Sequence, residues 1–275
     1  MDVTGAASRE SLDLATRGLD GYVDTADPAD LARMADELFA TVTVLDGQSG
    51  LRRALADPAA DPDRRAALLE RLLGGKVGES TLRLLRPLVR SRWSSPRDLA
   101  DAIELLGRRA ALGVAEREGT LDEVEDQLFR FGRILDAQPR LRQALEQRAA
   151  DPERRVGLLD RLVGERVDPT TRRLLEQAVR APRGRTLDRS TGELVELAAA
   201  RRQRYVATVT AAAPLTEQQE GRLADILARI YGRPVSIQVA VDPAVLGGLV
   251  VRVNDEVIDG SVLSRLTQVR HRLAG

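Results

Sequence analysis

The chain has 275 residues, 43% hydrophobic, 31% charged and only 3% aromatic, and its 42 Lys plus Arg balance 42 Asp plus Glu. This length allows two or three domains with cores of their own; the aliphatic bias favours helical packing over a β-sandwich; and the neutral balance lacks the excess of a dedicated nucleic-acid binder. With no cysteine and His271 as the single histidine, disulfides, thiolate metal sites, cysteine nucleophiles and histidine-based triads are excluded.

Met1–Glu10 is polar and carries no signal-peptide core. No apolar run approaches the roughly 20 residues needed to cross a bilayer. A cytoplasmic protein that reaches a membrane only through partners is expected, with no direct membrane insertion. Lys76 is the single lysine, and the arginines are spread along the whole chain, which reads as composition rather than a binding patch.

In chain order, a leading helix places Leu12, Ala15, Leu19 and Tyr22 at helical spacing. An internal repeat then dominates. Shifted by 90 residues, 31–90 aligns with 121–180 without a gap, and about half of the pairs are identical. LDGQSGLRRAL (45–55) matches LDAQPRLRQAL (135–145), and AADPDRRAALLERLLGGKV (59–77) matches AADPERRVGLLDRLVGERV (149–167). The turn residues repeat with the helices, so this is a domain duplication rather than shared Leu/Ala/Arg bias.

Each copy predicts a small helical bundle. Asp61 is placed to cap a helix, with Pro62 at its first position, Leu68, Leu69, Leu72 and Leu73 on one stripe, and Gly74–Gly75 to stop it. Asp151, Pro152, Leu158, Leu159, Leu162 and Gly164 repeat that logic. Leu31, Met34, Leu38 and Leu45 in the preceding helix match Leu121, Val124, Leu128 and Leu135. Leu85 and Leu88 mark a later helix of the first copy. A helix from about 97 to 118, interrupted only by Gly107 and Gly113, links the copies and could be shared by both.

After about residue 204 the pattern changes. YVATVTAAAPL (205–215) alternates as a strand does. Thr216 and Gln219 form a capping-box pattern before a helix with Leu223, Ile226, Leu227 and Ile230 on one face. VSIQVAV (235–241) has period two, and LVVRV–ND–EVI (249–258) predicts a hairpin around Asn254–Asp255. Ser261 is placed to cap a last helix with Val262, Leu266, Val269 and Leu273 on one stripe. The expectation is a mainly α chain: helical bundles at 1–105 and 106–204, then a small α+β domain at 205–275.

Motifs of chemistry are few. Glu70 to Val77 contains Gly-Gly-Lys but lacks the leading glycine and trailing hydroxyl of a phosphate loop, so a helix stop is the better reading. Gly247–Gly248 precedes a strand, not the helix that a nucleotide site needs, and reads locally as a tight turn. Carboxylates such as Glu116, Glu118, Glu123, Glu125 and Asp126 sit on helices with arginines nearby and read as solvated faces. No catalytic residue, cofactor or metal is expected.

VSIQVAVDPAVLGGLVVRVNDEVIDGSVLSRLTQVRHRL (235–273) resembles the closing region of bacterial ATP synthase delta subunits, which are related to the mitochondrial oligomycin-sensitivity-conferring protein. Asp242, Pro243, Leu246, Gly247, Gly248, Arg252, Asp259, Gly260 and Ser261 carry the likeness, and APLTEQQEGRLADIL (213–227) is similar to the family's strand-to-helix step. The doubled helical region departs from the usual single one and is similar to an extended actinobacterial form. The resemblance implies a non-catalytic stator subunit of the proton-translocating ATP synthase, peripheral on the cytoplasmic face of the cell membrane and present once per complex. It implies that a helical domain binds N-terminal segments of the alpha subunits and that the C-terminal domain binds the b subunit. On that basis Leu12, Ala15, Leu19, Tyr22, Leu85 and Leu88 are candidate contacts for the alpha segments, and Val262, Leu266, Val269 and Leu273 for b, with the first copy, richer in apolar residues, as the docking site. A helical scaffold of another complex is the alternative reading; it would not need the 242–261 block.

Overall fold

A computed structural model describes residues 5–147, 149–202, 205–231, 235–242, 248–253 and 256–259. The chain divides into two compact units, Met1–Arg202 and Gln203–Gly275.

The first unit is helical throughout. It runs α1 (Ala6–Val23), α2 (Pro28–Gly47), α3 (Ser49–Ala56), α4 (Pro62–Leu73), α5 (Glu79–Arg90) and α6 (Pro96–Glu118), then α7 (Leu121–Ala137), α8 (Pro139–Glu146), α9 (Pro152–Val163), α10 (Pro169–Arg180) and α11 (Leu187–Arg202). Shifting α1 by 90 residues lands on α6, and shifting α6 lands on α11. Each copy is therefore a six-helix bundle, and α6 is at once the last helix of the first and the first helix of the second. This explains its burial. Leu99, Ile103 and Leu106, but also Glu104, Arg108 and the run Ala110–Ala115, are all withdrawn from solvent, as for a helix with neighbours on every side. Glycines permit the closest approaches: a Cβ at Gly107 would lie 2.7 Å from Cε1 of Phe39, and one at Gly113 would lie 2.9 Å from Cγ1 of Val23. Gly119, at φ 74°, closes the helix in the left-handed conformation that favours glycine.

The duplication is legible bond by bond. Asp61 Oδ1 accepts from the Asp63 and Arg64 amides at 2.8 and 3.2 Å, and Asp151 Oδ1 accepts from the Glu153 amide at 2.7 Å. Glu37 Oε1 accepts from the Gly78 amide at 2.9 Å, and Gln127 Oε1 from the Asp168 amide at 2.8 Å, so α2 and α7 each hold the start of a helix 41 residues on. The buried Arg65 donates to the Ser91 and Arg90 carbonyls, and its mate Arg155 to the Val179 carbonyl, tying α4 and α9 to the ends of α5 and α10. Even the exposed pairs repeat, Arg90–Asp63 at 2.8 Å and Arg180–Glu153 at 2.9 Å. A cap removed in either copy should cost the same: Asp61→Ala and Asp151→Ala are each expected to lose about 1 kcal/mol, measured by urea unfolding followed by circular dichroism. A loss confined to one copy would contradict their equivalence.

In the second unit, β1 (Tyr205–Ala211), α12 (Glu217–Tyr231), β2 (Val235–Val241), β3 (Leu249–Val253) and β4 (Glu256–Asp259) form a four-stranded sheet of order β2-β1-β3-β4. β1 and β2 pair in parallel across α12, and β1–β3 and β3–β4 are antiparallel. Ala207 and Val209 of β1 meet Val235, Val251 and Leu227 in one core, the period-two side facing the helix. The Thr216 capping box forms, with the Thr216 amide donating to Gln219 Oε1 at 2.8 Å and the Gln219 amide to Thr216 Oγ1 at 3.3 Å. The chain is thus mainly α with a small α+β C-terminal part.

Candidate functional site

The α1 and α5 stripes singled out in the sequence come together, but mostly inward. Ala15, Leu19, Leu85 and Leu88 belong to the main helical core, with Leu12 and Tyr22 half-buried at its edge. They are the floor of the α1–α5 face rather than a free groove, because their periodicity serves the chain's own packing. Leu14 is what remains outside, 42% exposed. Its counterpart 90 residues on is Glu104, which is fully buried in α6. The two copies therefore present different faces at this place, open on α1 and closed on α6.

Glu104 sits at the centre of an ionic cluster that reading its helix as a solvated face misses. Its carboxylate pairs with Arg108 at 2.7 Å, with Arg183 at 2.6 Å and with Arg185. Arg108 also reaches Glu193 of α11 at 3.2 Å, and Arg183 reaches Asp101 at 2.8 Å and Asp46 of α2 at 2.7 Å. Burial by itself would raise the Glu104 carboxyl, but Arg108, Arg185 and Arg183 outweigh it and hold the group below its ordinary value. Burial lowers the Arg108 guanidinium, opposed by Glu104. Asp101 is raised, chiefly by burial, despite Arg183. Arg183 takes a positive φ of 50°, a conformation costing a non-glycine residue of order 1 kcal/mol, so the local backbone is held by the contacts its side chain makes. The Glu104–Arg108 spacing of i and i+4 could have flagged a pair; nothing local in the sequence marks it as buried.

Further links join the copies. Arg201 of α11 pairs with Asp20 of α1 at 3.1 Å, and Arg173 of α10 with Asp36 of α2 at 2.8 Å. With Arg183–Asp46, each has its aspartate in the first copy and its arginine in the second.

Among the described residues there is no cluster of His, Asp or Glu able to hold a metal, and no helix is long and apolar enough to cross a membrane. A cavity of about 100 Å³ lies among Leu145, Arg155, Val179 and Arg185, below the roughly 300–1,000 Å³ of a small-molecule site. In the second unit Gly248 has φ 88°, consistent with the turn expected before β3; Asp242 directly follows β2, and Asp259 ends β4, paired with Val250 of β3. Pro243, Gly247, Asn254, Asp255 and Gly260, with Ser261, Val262, Leu266, Val269, His271 and Leu273, lie outside the described residues.

The chain is thus a doubled helical bundle tied together by buried ion pairs, with a small α+β unit after it in sequence. The family model described as ATP synthase delta (OSCP) subunit matches residues 109–273. The chain is 47% identical over 270 residues to the ATP synthase subunit delta of Streptomyces griseus subsp. griseus, covering 98% of this chain and 99% of that one. It is 48% identical over 269 residues to that of Salinispora arenicola, covering 98% of each, and 46% identical over 270 residues to that of Acidothermus cellulolyticus, again 98% of each. The chain belongs to the ATP synthase delta (OSCP) family. It is a peripheral-stalk component of ATP synthase, a structural subunit that is not itself catalytic. The family match begins inside α6 and takes in the second copy and the C-terminal unit, whereas the relatives align along both copies.

Proposed function

We propose that the chain ties the alpha/beta catalytic head to the membrane-anchored b subunit, at the cytoplasmic face of the membrane, so that rotor torque is resisted and proton flow drives ATP synthesis. In this reading the α1–α5 face of the first copy takes an amphipathic N-terminal segment of an alpha subunit, and the C-terminal stretch with Val262, Leu266, Val269 and Leu273, which the sequence predicts as a helix, holds b. The observation that carries the first assignment is the asymmetry at one repeated position, with Leu14 open on α1 and Glu104 shut inside α6. A helix-in-groove partner needs apolar surface it can reach. The exposed Leu14 of α1 offers it, and sharing α6 between the bundles removes it from the second copy. The full chain suits the test, because a fragment ending before residue 96 would lack α6 and with it the wall of its own core. Titrated with an alpha N-terminal peptide, Leu14→Asp is expected to weaken binding by about tenfold, roughly 1.4 kcal/mol, and Ile134→Asp on the second copy to leave it unchanged. Equal weakening by both, or by neither, would show the assignment to be wrong.

A further inference from the structure

The corner between α10 and α11 departs from its repeat mate in the first copy, and a cavity lies at the difference. In the first copy the buried Trp93 donates its indole Nε1–H to the carbonyl of Leu88, itself in the core, at 2.7 Å. Ninety residues on, Leu88 becomes Ala178 and Trp93 becomes Arg183, which is drawn instead to Glu104, Asp101 and Asp46. The cavity of about 100 Å³ has Ala178 in its wall. That is several times the roughly 10–15 Å³ that one water requires.

The wall is also charged. Arg155, 6% exposed, and Arg185 both line the cavity, and the Nε–H of each is buried with no acceptor among the described residues. Arg155 donates to carbonyls, Val179 at 2.7 Å and Leu145 at 3.4 Å, while Arg185 pairs with Glu104 through Nη2. The Nε–H of Arg65 is unmatched too, so a single guanidinium does not distinguish the second copy. Arg185 does, because the first copy has Ser95 there. Leu187, the first residue of α11, also lines the cavity, so the positive end of a 16-residue helix opens on the same space. Glu146 is the carboxylate in the wall, and its Oε1 accepts from the Leu187 amide at 2.5 Å. Two guanidinium groups and a helix N-terminus thus surround one carboxylate, and buried donors without acceptors are costly.

We infer that this cavity binds a small oxyanion of the size of phosphate, which accepts from the Nε–H groups of Arg155 and Arg185 and from the hydroxyl of the exposed Thr186 in the wall. A tetrahedral oxyanion offers acceptors in several directions at once, as donors on different elements require. A whole nucleotide is too large for the space. The inference concerns the second copy alone and does not depend on which subunits the chain joins.

The test uses the full chain and inorganic phosphate. Calorimetric titration at fixed ionic strength is expected to show one site with a Kd of about 1 mM or tighter. The melting temperature should rise with phosphate and not with sodium chloride of matched ionic strength, since only a ligand of the folded state stabilises it by mass action. Sulfate should compete with phosphate, and ATP should bind at least about tenfold more weakly than either. Crystals soaked in selenate should show an anomalous selenium peak within hydrogen-bond reach of both Nε atoms. Ala178→Leu gives the second copy the residue of the first and leaves both arginines in place. It should weaken phosphate binding at least about tenfold by filling the space, with the helical circular dichroism of the chain retained. The absence of saturable uptake, an equal response to chloride, tighter binding of ATP than of phosphate, a selenium peak elsewhere, or undiminished binding by folded Ala178→Leu each overturns the inference. The wild-type titration and the selenate map decide it even where Ala178→Leu does not fold.

Discussion

Glu104→Leu is expected to be the most destabilising single change in the helical unit, costing about 3–5 kcal/mol. The carboxylate is fully buried and neutralises Arg108, Arg183 and Arg185 from one point. Removing it leaves buried guanidinium groups facing one another without their central anion, which costs far more than the pair itself contributes. In a unit of this size that loss should lower the melting temperature by roughly 10 °C or more. Glu104→Gln, which keeps shape and some hydrogen bonding, should fall between. A change under about 1 kcal/mol for Glu104→Leu would mean that water or backbone shifts replace the carboxylate, and that the cluster does not hold the copies in place. The pH dependence has a definite sign. The arginines hold the folded Glu104 below its ordinary 4.5, so its contribution is present above that value and drains away as pH falls toward the folded pKa. Asp101, raised by burial, acts in the opposite sense, because its charged form costs stability. Acid titration of the wild type and of Glu104→Gln should therefore converge at low pH and separate as pH rises.

The helices, their caps, the duplication and the β1-α12-β2 step could all be read from spacing, because each depends on neighbours within a few residues or on a repeat. Asp61, Asp151 and the Thr216–Gln219 box form the bonds their positions predict. Burial on the second side of α6 could not be read that way. Its apolar stripe of Leu99, Ile103 and Leu106 is ordinary for a helix with one packed face, and Glu104 with Arg108 looks like a solvated pair. Only when one helix serves two bundles does that polar side also go inward. The same logic turned Leu19, Leu85 and Leu88 into core, since a stripe at helical spacing cannot say whether it meets its own chain or a partner. Nor does the scattered distribution of arginines predict that Arg173, Arg183 and Arg201 each meet an aspartate of the other copy. That requires tertiary distances which the sequence separation conceals.

Phe39 and Phe129 are repeat mates on similar helices, yet one is buried and the other open, and the cause lies across from them. Opposite Phe39 is Gly107; the residue 90 further on is Leu197, half-buried in α11. The notch in α6 admits the Phe39 ring, and by the repeat a leucine stands on α11 where α6 has that notch. Gly107→Leu, which gives α6 the residue of α11, is accordingly expected to expel Phe39. Even the first carbon of the new side chain would stand 2.7 Å from Cε1 and 2.9 Å from Cδ1 of the ring, and 3.4 Å from Cβ of Leu38. Removing glycine from a helix interior would favour folding by up to about 1 kcal/mol. Overpacking a rigid contact costs typically 1–3 kcal/mol, occasionally more, and exposing the phenylalanine forfeits about 1.5–3 kcal/mol of burial. The sum favours a net loss of about 3 kcal/mol, measured by urea unfolding. Gly107→Ala should cost less, because a single methyl demands only that the ring shift. The decisive comparison is Phe39→Ala with Gly107→Leu, in which the leucine occupies the space the ring vacates. The double variant should be more stable than the sum of the two single losses predicts by at least about 1 kcal/mol. Additive losses would mean that the ring and the glycine do not share one space, and that Phe129 is exposed for a reason other than Leu197.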